Sequence, residues 1–331
     1  MLSLLILLLA VSRTPAPAAT NRAALEARFV EIARTAGGTV GVSALHLESG
    51  TGASFHGRER FPMASVFKLP VAVELLVSVD RGTVRLDQVV AIGPADVHPG
   101  GGRTIAERAP RGGISLSFGQ LLEAMLVESD NTAADLLLPL AGGPEAITAQ
   151  LDETGLGEIR VDRSEAELAF DSYGVSPHPP RAEWTLEGIR SATRSVPEAE
   201  RRVAAERFLA DPRDTASPDA LVQLLRQIQE RRRLSSERQK LLLALLERTR
   251  SGEKRLRAGL PAGTPVAHRT GTGADVAGIN IVTNDVGIVT LPGKRGHLAI
   301  AVMIKGSKEK DSAREQAIVR IASAAWDYWT R

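Results

Sequence analysis

The spacing of apolar residues changes period along this chain, and the order of those changes limits its fold more than any other feature. Residues 39–47 alternate as a strand does, Glu48-Ser49-Gly50 supplies a turn, and 52–58 return as the second arm of a hairpin. Near the other end, 264–268, 279–291 and 297–305 again read as strands. Between them the spacing is helical at 65–79, 116–128, 132–140, 144–154, 217–230 and 235–249, while the Gly- and Pro-rich stretch 92–116 reads as irregular loop. A helix over 22–36, capped by Thr20-Asn21 and stopped by Gly37-Gly38, opens the pattern, and one over 310–329 closes it. Strands at both ends of a chain with helices between them predict an α/β (α+β) fold. An antiparallel sheet is flanked by the terminal helices, an all-helical block is enclosed, and the chain ends lie together.

Composition is globular, and 331 residues leave room for one large domain or two interlocked ones. Basic and acidic residues nearly balance, 41 against 39, and the run Arg231-Arg232-Arg233 sits among acids, so nucleic-acid binding is not indicated. The apolar run 2–11 is too short to span a bilayer and has the length of a signal-peptide core. Ala16-Pro17-Ala18-Ala19 offers a cleavage site, so 1–19 reads as a signal peptide and 20–331 as the mature domain, periplasmic or secreted, although only the terminal amine charges the front end. The chain has no cysteine, which excludes disulfides, thiolate metal sites, a cysteine nucleophile and a lipoprotein anchor.

Several hydrolase chemistries are missing. The six histidines include no pair at metal-ligand spacing, there is no G-x-S-x-G elbow, and there is no phosphate-cradling loop. No metal or other cofactor is expected. S-x-x-K occurs three times, at Ser65, Ser251 and Ser307, where average composition gives roughly one chance hit per chain. Only Ser65 opens an apolar helix, which puts Ser65 and Lys68 one turn apart on one face beside the N–H groups of the helix start. Lys68 is the sole lysine before Lys240 in a chain with 34 Arg and 7 Lys. A partly buried lysine can release its proton and take one from a serine, whereas arginine keeps its own. A serine cap with a snorkelling lysine accounts for this motif equally well taken alone.

Two further clusters follow in order. Ser129-Asp130-Asn131 falls at the break between two helices, where each of its residues could also serve as a cap. Its hydroxyl and carboxamide suit proton transfer to a leaving nitrogen and the holding of a substrate amide. Arg269-Thr270-Gly271, followed by Thr272-Gly273, places a cation, a hydroxyl and a glycine along a strand, where a carboxylate could lie close.

In this order the three clusters resemble the S-x-x-K, S-D-N and K-T-G elements of the penicillin-recognising serine hydrolases. Arg163-Ser164-Glu165-Ala166-Glu167-Leu168 is similar to the start of the omega loop of class A β-lactamases, Arg213-Asp214-Thr215 to its end, and Asn284-Asp285-Val286 to a strand of the same family. The resemblance implies a serine β-lactamase acting on a small-molecule β-lactam, monomeric and without a membrane anchor. It makes Ser65 the acylated nucleophile, Lys68 its base or relay, Ser129 the proton donor to the lactam nitrogen and Glu165 the activator of the deacylating water. Asn131, Arg269, Thr270, Gly271 and Thr272 would bind substrate, with the N–H groups of Ser65 and Thr272 as oxyanion hole. Arg163 and Asp214 would pair across the neck of the loop. The subdomains implied are 20–62 with 255–331, and 63–254, the second carrying an insertion at about 170–213.

The chain departs from the family pattern at several points. Arg269 replaces a lysine, Ala169 an asparagine that helps hold water, and Thr283 an arginine found in many members; His98 or Pro99 lies near where a wall tyrosine is usual. Arg163 and Asp214 are 51 positions apart, with amphipathic helical spacing over 184–209, which reads as a surface layer or a lid. Two alternatives share the acylation chemistry: a D-Ala-D-Ala carboxypeptidase, against which Glu165 counts, and a penicillin-binding or sensing protein that deacylates slowly.

Overall fold

The computed structural model describes residues 17–99 and 104–331, with side chains from Asn21 onward. The reading of 1–19 as a signal peptide therefore lies mostly outside the described residues; Pro17–Ala33 form the first helix, which begins three residues before the expected cap. No helix among the described residues is long and apolar enough to cross a membrane.

The two ends of the chain share one antiparallel sheet, in the spatial order Gly52–Phe55, Thr39–His46, His297–Ser307, Ile279–Thr290, Val266–Thr272, with the short Asp275–Val276 also paired to Ile279–Thr290. The two central strands are buried along nearly their whole length because both faces are covered. Period-2 alternation divides their side chains. Leu298, Ile300, Val302 and Ile304 face Phe29, Ile32, Ile318 and Ile321 of the terminal helices Pro17–Ala33 and Asp311–Thr330. Ala299, Ala301 and Met303 face the helical block.

At the centre of that block is the helix Lys68–Asp80, buried from Lys68 through Val77 and apolar there except for Lys68 and Glu74. Around it pack Phe118–Val127, Asn131–Leu137, Gly143–Glu153, Pro218–Gln229 and Ser236–Glu247. Side-chain caps fix their starts: Ser117 accepts from Gln120 N, Asp130 from Ala133 N, Ser217 from Ala220 N and Ser235 from Arg238 N.

Three local features differ from the sequence expectation. The helix expected at 65–79 starts as a 3-10 turn, Ala64–Phe67, and Pro70 falls in the first α turn, where its missing N–H costs no helical bond. The stretch 92–116 holds a short helix, Ile105–Arg108, and a strand, Ile114–Ser117, paired with Val89–Ile92; at four residues each, these strands are too short for their alternation to stand out beside Gly and Pro. The strand Val266–Thr272 runs four residues past its expected end and carries the Arg269-Thr270-Gly271 cluster along its edge.

Candidate active site

Ser65 sits in the 3-10 turn that leads into the central helix, directly after Ala64, whose φ of 44° is left-handed. An alanine held there is strained, and the turn is tied down on two sides. Asn284 Nδ2 donates to the carbonyls of Pro62 and Met63 at 2.9 and 3.1 Å, and Met63 N donates to Asp214 O at 2.9 Å. On the sheet side a Cβ on Gly271 would lie 2.3 Å from Met63 O and 3.3 Å from Val66 N, so only glycine lets the strand come this close to the nucleophile turn.

Lys68 is fully buried and surrounded by oxygen. Its Nζ donates to Ser65 Oγ at 3.2 Å, Ser129 O at 2.9 Å and Asn131 Oδ1 at 2.6 Å, and lies 2.7 Å from Glu165 Oε1. Ser65 Oγ donates to the same Glu165 oxygen at 3.3 Å. Burial pushes the Lys68 pKa below the ordinary lysine value; Glu165 works against that shift and Arg269 adds to it.

Ser129 is also left-handed, with φ 62°, and its turn is held by Asp130. That carboxylate is fully buried and accepts from Ala133 N at 2.7 Å and Ile105 N at 2.5 Å. Asp130 thus serves as the cap that its residue type allows, leaving Ser129 and Asn131 on either side to face the site. Arg269 Nη2 donates to Ser129 Oγ at 2.6 Å, and Asn131 Nδ2 to Pro99 O at 2.7 Å. Arg269 is fully buried, and burial lowers its pKa to about 10, which leaves it cationic at neutral pH. Its Nε and Nη1 are buried without a hydrogen-bond partner among the described residues. Such a cation is suited to an incoming anion.

Glu165 begins the helix Glu165–Tyr173, capped by Ser164. Arg163 and Asp214 meet across the neck: Arg163 Nε donates to Asp214 Oδ2 at 2.6 Å, and Arg163 Nη1 reaches Asp171 at 2.6 Å and Asp211 at 3.2 Å. Ser65, Lys68, Ser129, Asn131, Glu165 and Arg269 therefore form one connected cluster. Thr270 and Thr272 are bonded on the far side of their strand, Thr270 Oγ1 to Ser251 Oγ at 2.5 Å and Thr272 Oγ1 to Arg255 Nη2 at 2.8 Å.

Four contributors were not assigned to the site from the sequence. Arg255, buried behind the strand, also donates to the carbonyls of Gly271 and Asn284 at 3.4 and 3.0 Å and sets a second permanent cation beside Thr272. Ser251, one of the chance-like S-x-x-K serines, meets Thr270. Asp135, one helical turn after Asn131, accepts from Glu165 N at 2.7 Å and Ala166 N at 3.2 Å, taking up the first two free N–H groups of the Glu165 helix. His98 Nδ1 lies 2.6 Å from Asp135 Oδ2 without making a hydrogen bond. The only sequence hints were an acid on the face of Asn131 and a histidine in an irregular loop.

At the departures from the family pattern, Ala169 packs into an apolar cluster with Ala166, Phe170, Ile189 and Trp184, and Thr283 Oγ1 accepts from the buried Arg314 Nε at 3.0 Å. Among the described residues no group of three or more His, Asp or Glu could hold a metal ion.

The chain has relatives among known proteins. A family model described as the Beta-lactamase enzyme family matches residues 24–329. The extended-spectrum beta-lactamase PER-1 of Pseudomonas aeruginosa is 32% identical over 82% of this chain and 76% of its own length. Beta-lactamase VEB-1 of the same organism is 31% identical over 81% and 78%. Among solved structures, a beta-lactamase from Chitinophaga pinensis superposes with a TM-score of 0.76 at 32% identity, covering 92% of this chain and 98% of the other. The chain belongs to the β-lactamase enzyme family, with the class A fold and the serine-hydrolase character of that family.

Proposed function

We propose that the protein hydrolyses the amide of β-lactams through an acyl-enzyme on Ser65, which water activated by Glu165 then releases. The observation that carries this reading is the bonding of Ser65 Oγ to both Lys68 Nζ and Glu165 Oε1, themselves 2.7 Å apart. Glu165 accepts the Ser65 hydrogen directly, and Lys68, which donates to Ser65 here, becomes an acceptor once it has released its own proton, which suits a hydroxyl attacking a carbonyl carbon. As the lactam C–N bond breaks, the nitrogen takes a proton from Ser129 Oγ, and the proton that left Ser65 passes through Lys68 to Ser129, so that Glu165 is a free carboxylate again. Arg269 beside that hydroxyl favours the electron-rich form left behind. The backbone N–H groups of Ser65 and Thr272 serve the oxyanion, the strand being brought close by Gly271. Arg269, with Arg255 behind Thr272, attracts the carboxylate that β-lactam antibiotics carry next to the ring. In the second half-reaction Glu165 takes a proton from water, the hydroxyl adds to the ester, and Ser65 leaves with the proton returned.

Export of a monomer to the periplasm or medium belongs to the same reading. It is supported by the apolar stretch 2–11 and the small residues after it.

Nitrocefin turnover and intact-protein mass spectrometry test the proposal together. The native enzyme should turn over and return to its free mass, Ser65→Ala should do neither step, and Glu165→Ala should hold a persistent adduct. Turnover by Ser65→Ala at the native rate would exclude the mechanism. A native adduct lasting hours would favour the slowly deacylating binder instead, and release of D-alanine from a stem-peptide mimic without nitrocefin turnover would favour the carboxypeptidase.

A further inference from the structure

The 51-position span between Arg163 and Asp214 is far longer than pairing two neck residues requires, and its fold gives the extra chain a task. It forms two helices, Leu186–Ser195 and Glu198–Ala210, both packed on the Glu165–Tyr173 helix. The second also reaches the opposite side of the site, where it meets Asp275–Val276 and Ile279–Thr290. There Ala205, fully buried, joins Val276, Ile281 and Val282 in one apolar cluster, against which Phe208, Leu209, Ala64 and Ala274 pack. On the side facing the Glu165 helix, Gly174 lies so close to the same helix that a Cβ would stand 2.8 Å from Ala204 Cβ. Phe208 also carries the Arg163 guanidinium 5.1 Å from its ring centroid, coupling the strut to the neck.

The two structures it connects bound the nucleophile turn. Glu165 touches Ser65 from one side, and Gly271 presses on Met63 and Val66 from the other. The segment Gly273 to Val276 continues that strand outward past Thr272, and its apolar residues Ala274 and Val276 are packed by the insert. The first insert helix has no part in this. Its Ile189, with Trp184, packs against the Glu165 helix through Phe170 and Ala166.

We propose that the helix Glu198–Ala210 is a strut that sets the distance between the Glu165 helix and the Gly273–Val276 rim, and that Phe208 and Leu209 thereby determine how large a lactam side chain the site accepts. The proposal rests on the β-lactamase reading. A close-packed contact has little slack, so shortening a side chain at the strut's end lets the rim move, and a pocket that differs by a methylene or two changes discrimination by about tenfold or more.

The test uses the full chain and two cephalosporins that differ only in the bulk of the 7-acylamino group. For Leu209→Ala and Phe208→Leu, kcat/KM for the bulky substrate relative to the small one should rise about tenfold, mostly through KM. Trp184→Ala, which removes a comparable apolar contact just before the other insert helix, should leave that ratio within about twofold of native. Thermal midpoints show whether each variant is folded; if Leu209→Ala is not, Phe208→Leu alone decides. An unchanged ratio in the strut variants, or an equal change in Trp184→Ala, would overturn the strut. Failure of the native enzyme to hydrolyse either substrate would instead overturn the reading beneath it.

Discussion

Lys68 carries the strongest conflict between charge and burial at the site, and the conflict has a measurable sign. Its folded-state pKa is lowered from 10.5 by burial, so between that lowered value and 10.5 the unfolded chain holds a proton that the folded chain has released. Raising the pH through this window therefore favours folding, by up to about 1.4 kcal/mol per pH unit from this one group. The native stability minus that of Lys68→Met, followed by urea unfolding from pH 8 upward, should rise with pH; a flat difference would mean that Lys68 is not strained by burial. Asp135 is tested by rate rather than pH. Removing it frees two N–H groups beneath Glu165, so Asp135→Ala should slow deacylation about 10- to 100-fold and leave an acyl adduct visible at steady state. An adduct no longer-lived than native would show that the helix start holds Glu165 without it. Ser65 and Lys68 were legible in the sequence because one helical turn brings them together. Asp135, Arg255 and Ser251 were not, since each acts on a group 14 or more positions away.

At the scale of elements, the neck joins the insert, the Glu165 helix and the nucleophile turn in one polar knot. Asp214 receives Arg163 Nε and the N–H groups of Asp162 and Arg163, and its own carbonyl holds Met63 N. Burial raises its pKa while Arg163 opposes the rise. Arg163→Ala leaves a buried carboxylate without its cation, for a cost of about 3–5 kcal/mol. Chemical denaturation should show that loss, and limited proteolysis should cut first between 175 and 213; stability within about 1 kcal/mol of native would mean that Asp171, Asp211 and Asp214 do not depend on Arg163. The insert helices were expected from amphipathic spacing alone. Where they dock was not, because a helix's apolar face shows what it must bury but not which surface covers it. Both pack on the Glu165 helix with their outward residues exposed to solvent, and the second also reaches the strand edge.

For the whole molecule, the period changes along the chain predicted the arrangement of sheet, terminal helices and central block, because strands at opposite chain ends have few other partners. The site lies where the sheet edge meets the block, so both apolar layers must be intact for it to form. Ile321, fully buried on the terminal helix Asp311–Thr330, belongs to the apolar layer between that helix and the sheet, a cluster separate from that of the helical block. Ile321→Ala should cost about 2–5 kcal/mol in urea unfolding while kcat/KM per folded molecule stays near native. A matching fall in kcat/KM would show that the distant layer shapes the site beyond holding the fold. The central claim is narrower: the lactam is opened by one particular oxygen, Ser65 Oγ, and freed by one particular carboxylate. It is tested most directly by pulsing Glu165→Gln with benzylpenicillin, digesting the protein and locating the added mass by tandem mass spectrometry. The account predicts one intact penicilloyl group, on Ser65. An adduct on Ser129 or elsewhere, or an unmodified variant, would contradict it.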